Sequence, residues 1–78
     1  MDNIKPDKTL DCTGLFCPLP VVKTKQEIDK LKSGEVLELI ADDPGSKLDI
    51  PAWCNTTGNI LIFTEFTKDE YKFFIRKK

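Results

Sequence analysis

Polar and apolar positions alternate through Thr9-Leu10-Asp11-Cys12-Thr13, with Leu10 and Cys12 on one side, which predicts a short strand closed by Gly14. From Pro18 to Lys32 the period changes. Val21, Thr24, Ile28 and Leu31 form the single stripe of a helix, and Ser33-Gly34 supplies its stop, with glycine suited to the left-handed position after the last turn. Glu35 to Ala41 is short and rich in strand formers, and Asp42-Asp43-Pro44-Gly45 reads as a turn. Ile50, Trp53, Cys54 and Thr57 again lie on one helical stripe. Pro51 would break a helix that began at Ser46, because it lacks the N–H owed to Lys47. An N-cap at Asp49 removes the conflict by placing Pro51 in the first turn, so the expected helix is 50–57, with Gly58 as its C-terminal cap. Residues 60–66 and 71–76 are two strands of a hairpin turned by Thr67-Lys68-Asp69-Glu70. The order strand, helix, strand, helix, strand, strand predicts a two-layer α/β sandwich with at least one parallel strand pair.

Length sharpens this picture. Seventy-eight residues make one small domain, 1–78, with residues 1–8 a polar lead and no composition break or repeat to divide the rest. A domain of this size buries only about 60% of its unfolded surface, so its core has little to spare. The polar start is not the pattern of a signal peptide, and no segment approaches the roughly 20 apolar residues of a membrane span. Three cysteines without a CxxC and no histidine exclude mixed Cys/His and all-Cys zinc sites, and an odd count argues against a disulfide framework. No metal and no cofactor is expected, and the compartment is expected to be the reducing cytoplasm.

Charge narrows the partners. Twelve basic and thirteen acidic residues give a net charge of −1, unlike the strongly basic domains that bind nucleic acid directly. Lys23, Lys25, Lys30 and Lys32 read as the wet face of the first helix. The absence of histidine removes the commonest acid/base group near neutral pH, so any chemistry falls to a cysteine.

Cys17 has the setting for it. In Cys17-Pro18-Leu19-Pro20 it is expected at the N-cap of the first helix with Pro18 at the favoured first position. The positive end of the helix dipole and its free backbone N–H groups favour a thiolate there. A thiolate held at a loop–helix junction, with no base and no metal, suits attack on a sulfur electrophile. The competing reading makes Cys17 a small core hydrophobe and CPLP a rigid structural turn. Cys12, sharing a strand face with Leu10, and Cys54, beside Ile50 and Trp53, read as core. Asp11 is either a charged neighbour of the loop or a turn cap. A parallel pairing of the first two strands would bring the Cys17 loop and the Asp42–Ser46 loop to one sheet edge, a rim with Asp43 on one side and Lys23 or Lys25 on the other. A solvated turn beside a solvated helix face fits those charges equally well.

The run from Leu10 to Pro20, Leu-Asp-Cys-Thr-Gly-Leu-Phe-Cys-Pro-Leu-Pro, resembles the LDxxGLxCPxP signature of the TusA/SirA-like family. Ala41-Asp42-Asp43-Pro44 with Asp49-Ile50-Pro51-Ala52-Trp53-Cys54 is similar to that family's ADDP…DIPxFC stretch, and Phe74-Ile75-Arg76-Lys77 to its ending. The resemblance covers nearly the whole chain. It implies a βαβαββ sandwich, with both helices on one face of a four-stranded mixed sheet. It also implies a sulfur carrier, with Cys17 bearing a persulfide and Asp11, Gly14, Pro18 and Pro20 on the other signature positions. The implied donor is an IscS-type cysteine desulfurase and the implied acceptor a TusBCD-like complex serving 2-thiolation of the tRNA wobble uridine, with the carrier a monomer. Relatives also act in sulfur oxidation, thiosulfate handling and molybdenum-cofactor supply. Thr13 stands where many relatives carry Arg, Cys12 where Ala is common, and Trp53 in place of Phe. The alternative from another class is a non-catalytic interaction or regulatory module.

Overall fold

A computed structural model describes residues 5–16 and 18–78. The chain runs β1 (Lys8–Asp11), α1 (Leu19–Asp29), β2 (Val36–Ala41), α2 (Ser46–Thr57), β3 (Ile60–Phe66) and β4 (Tyr71–Arg76). The sheet order is β1-β2-β4-β3, with β1 parallel to β2 and both other pairs antiparallel. The two-layer α/β sandwich expected from the alternation is therefore present, with a mixed four-stranded sheet.

Period-two patterning decides which sheet face is covered. Leu37, Leu39 and Ala41 are buried while Val36, Glu38 and Ile40 between them are not fully so. Register sets Leu37 opposite Ile75 and Leu39 opposite Phe73, and these join Ile28 of α1 with Ile50 and Cys54 of α2 in one core. Both helices thus cover the same face. On the other face Phe74 is shielded by the Phe63 ring, with centroids 5.7 Å apart. A register shift between Leu61 and Phe63 leaves Ile62 without a partner on edge strand β3, a bulge of the kind that discourages edge-to-edge pairing.

Several element boundaries differ from those expected, among them the start of β1 at Lys8, inside the expected polar lead. Strand β1 ends at Asp11, short of Thr13, because the Asp11 carboxylate accepts the Thr13 N–H and takes it out of the ladder. Cys12 still donates its N–H to Ile40 O at 2.7 Å. Helix α1 ends at Asp29 and not Lys32. Lys30 and Leu31 bond back only three residues, to Glu27 O and Ile28 O, and Lys77 Nζ also caps Ile28 O. Gly34, at φ 90°, serves the turn into β2, donating to Lys77 O rather than capping the helix.

The largest difference is α2, which starts at Ser46, four residues before Ile50, and holds Pro51 inside it. Its first turn is tightened by three-residue bonds from Ser46, Lys47 and Leu48, before Asp49 N–H reaches Gly45 O at 3.0 Å. Pro51 then forfeits one bond, to Lys47 O. The loss is confined to that single bond, and the helix continues to Thr57. Gly58 ends the helix in the left-handed conformation at φ 85°, as expected.

Candidate functional site

Because β1 and β2 are parallel, the loops after them leave the same sheet edge. A direct bond joins these loops: Gly14 N–H donates to Asp42 Oδ1 at 3.0 Å. Asp11 Oδ1 accepts both the N–H and the hydroxyl of Thr13, at 2.9 and 2.7 Å, an Asx turn that turns the chain out of the strand. These two bonds hold the Asp11 carboxyl below its ordinary range. Gly14 follows at φ 84°, where a side chain would be strained, and Leu15 N–H closes onto Cys12 O. Four successive N–H groups, from Cys12 to Leu15, are thus committed before the chain reaches Cys17.

Beyond the loop, Leu19 N–H donates to Phe16 O at 2.8 Å and Val22 N–H to Pro18 O at 3.1 Å. The N-cap position belongs to Pro18, not to Cys17, and no side chain caps the helix. Cys17 itself lies outside the described residues. The start of α1 also offers fewer free donors than a helix terminus ordinarily does. Pro18 and Pro20 have no N–H, and that of Leu19 is already taken. Pro20 is buried, and its carbonyl accepts the hydroxyl of buried Thr24 at 2.6 Å, fixing the first turn against the core.

The three cysteines separate clearly. Cys12 is fully buried, and burial pushes its thiol upward. The Asp11 charge adds to that shift, while Lys23 works against it. Cys54 is also buried, its thiol pushed up to about 11 by desolvation. Both belong to the core, as their strand and helix faces predicted. The residues flanking position 17 differ: Phe16 is 72% exposed, and Pro18 and Leu19 also face solvent.

The charged candidates scatter. Lys23 is exposed beside the loop and near enough to Cys12 to act on its thiol. Lys25 is paired with Asp29 one turn along the helix, Nζ to Oδ2 2.8 Å, an exposed pair of small energetic weight. Asp43 is half-buried and folds back on the start of α2. Its Oδ2 lies 3.3 Å from where a Cβ would stand on Gly45, and its carbonyl accepts Ser46 N–H. Asp42 is the residue whose carboxylate bonds the Gly14 N–H of the cysteine loop. Its position directly after a strand parallel to β1 was the available signal.

A family model described as sulfurtransferase TusA matches residues 8–77. The chain belongs to the TusA family. The sulfur carrier protein TusA of Pseudomonas putida (strain GB-1) is 40% identical over 78 residues, spanning 100% of this chain and 98% of its own. A putative sulfur carrier protein of Bacillus subtilis (strain 168), YrkI, is 43% identical over 74 residues, or 95% of this chain and 99% of its own. A putative sulfur carrier protein of Aquifex aeolicus (strain VF5) is 44% identical over 77 residues, but the chain spans only 39% of that longer protein. The crystal structure of a SirA-like protein from Desulfitobacterium hafniense superposes with a TM-score of 0.77 at 23% identity, covering 88% of this chain and 95% of that one. It shares the fold.

Membership in the TusA family supports sulfur transfer in the general sense, and a sulfur carrier acts between a donor and an acceptor protein. Among the described residues, no helix is long and apolar enough to cross a membrane.

Proposed function

We propose that this TusA-family chain is a single-domain cytoplasmic sulfur carrier that holds sulfane sulfur as a persulfide on Cys17. The observation that carries the reading is the contrast among the cysteines. Cys12 and Cys54 are buried with thiols raised above their ordinary range, while the residues on both sides of Cys17 are exposed. Loading is one sulfur-for-sulfur exchange. The Cys17 thiolate attacks the terminal sulfur of a donor cysteine persulfide. A new S–S bond forms, the old one breaks, and the donor cysteine leaves as a thiolate with no net redox change. Release is the same step reversed in role, with an acceptor nucleophile taking the terminal sulfur and Cys17 leaving as thiolate.

Asp11, Gly14, Pro18 and Pro20 shape the support for that sulfur. Asp11 turns the chain, Gly14 accepts the positive φ, and the two prolines stiffen the start of α1. The protein acts as a sulfurtransferase only with partners, and the apolar surface of Phe16, Leu19 and Val22, with Lys23 at its side, is the docking area. Lys25, tied to Asp29, and Asp43, turned toward α2, contribute at the rim. The donor fitting the family is an IscS-type cysteine desulfurase, and the acceptor a TusBCD-like complex for tRNA wobble-uridine 2-thiolation. Incubation with such a desulfurase and cysteine adds the mass of one sulfur, removable by reductant, and Cys17→Ala abolishes it. Loading by the desulfurase without passage to TusBCD would redirect the acceptor toward sulfur oxidation, thiosulfate or molybdenum-cofactor routes. Absence of loading would favour an interaction module.

A further inference from the structure

We infer that Asp42 is a positioning residue for the sulfur-bearing loop, acting through the Gly14 N–H; this rests on the carrier reading of Cys17. The four committed N–H groups before the loop differ in origin. Cys12 donates to the neighbouring strand at Ile40 O, Thr13 to the Asp11 carboxylate, and Leu15 to Cys12 O. Only Gly14 is held by a side chain from another loop, the Asp42 carboxylate at 3.0 Å. Gly14 is also where the backbone is most easily redirected. At φ 84° it sits in a region where a glycine interconverts freely, and nothing lies within 4 Å of where a Cβ would stand. The space beside Gly14 is therefore open on that side, and the Asp42 carboxylate is the side chain that ties it to the neighbouring loop. Asp42 is well anchored for the task, because it directly follows Ala41, the fully buried last residue of β2. The loop that carries Cys17 is thus referenced to the central strand at a second point, beyond the β1–β2 ladder.

A bond to a charged acceptor corresponds to roughly a tenfold change in the fraction of loops held ready. The test is single-turnover sulfur transfer from a persulfide-loaded cysteine desulfurase at saturating concentration, at a temperature where each variant is folded by circular dichroism. Asp42→Ala is expected to slow transfer about five- to tenfold. Asp42→Asn, which keeps an acceptor oxygen on the same stem, restores most of the rate. Asp42→Glu keeps the charge but displaces the oxygens by one methylene, and stays slow. If Asp42→Ala does not fold, the Asn and Glu variants decide alone: fast Asn with slow Glu supports positioning, and the reverse overturns it. Wild-type transfer by Asp42→Ala overturns the positioning role and leaves the carrier reading intact. Failure of the unmodified protein to take sulfur on Cys17 overturns both.

Discussion

Thiol-specific alkylation tests the separation of the three cysteines, and the structure sets how far Cys54 falls behind an unshifted thiol. At pH 7 a thiol at about 11, as for Cys54, is ionised in about one molecule in 10,000, whereas an unshifted thiol at 9.0 is ionised to about 1%. Ionisation alone therefore places Cys54 about 100-fold behind an unshifted thiol. Burial widens the gap, since Cys54 and Cys12 are 2% and 0% exposed and must await local opening before any reagent reaches them. The residues on either side of Cys17, Phe16 and Pro18, are exposed, and the proposed carrier role requires its thiol to be open to reagent. A timed iodoacetamide pulse at pH 7, quenched and mapped by peptide mass spectrometry, reads all three rates in one experiment. The expected order is Cys17 first by at least two orders of magnitude, with Cys12 and Cys54 modified together only when denaturant opens the core. Equal rates for Cys17 and Cys54 in the folded protein would refute the reasoning.

Other consequences follow from the same contacts. The Cys54 thiol is raised from 9.0 in the unfolded chain to about 11 in the folded one, so its contribution is complete below pH 9 and is lost as pH rises toward 11. That loss amounts to about 2–3 kcal/mol, and urea titrations of wild type against Cys54→Ala across this window should show a steeper alkaline decline in the wild type. Phe73 is fully buried opposite Leu39 with the Phe66 ring edge-on at 5.5 Å. Phe73→Ala should cost about 3–5 kcal/mol, enough to move the urea midpoint by about 2 M or more in a domain this small. Phe16→Ser, at an exposed position, should change stability by less than about 0.5 kcal/mol while raising the KM for the desulfurase. Comparable loss of stability in that variant would assign Phe16 to the core.

The element order and the one-sided core were legible because they depend on period. Val36–Ala41 was legible as a strand from its run of strand formers, while its alternating burial, Leu37, Leu39 and Ala41 inward, came from the structure because only Glu38 in the run is polar. The hairpin strands at 60–66 and 71–76 match to the residue, since Thr67-Lys68-Asp69-Glu70 is too polar for either strand. Local signals competed elsewhere. Pro51 argued for a short second helix, but the tight opening turn, with three-residue bonds from Ser46, Lys47 and Leu48, lets the helix begin at Ser46. Gly34 carried a helix-stop signal, yet its positive φ serves a turn held by Lys77, far away in sequence. The core positions of Cys12 and Cys54 were legible for the same reason as the strands. The tie between Asp42 and Gly14 was not, because a bond across 28 positions leaves no periodic trace.

The most direct test of the account is intact-protein mass spectrometry after incubation with an IscS-type cysteine desulfurase and cysteine, on wild type and Cys17→Ala. The account predicts one reductant-labile sulfur on the wild type and none on the variant, with Cys12 and Cys54 unmodified in both. Sulfur on Cys54 or Cys12 in the Cys17→Ala protein, at the wild-type level, would contradict it.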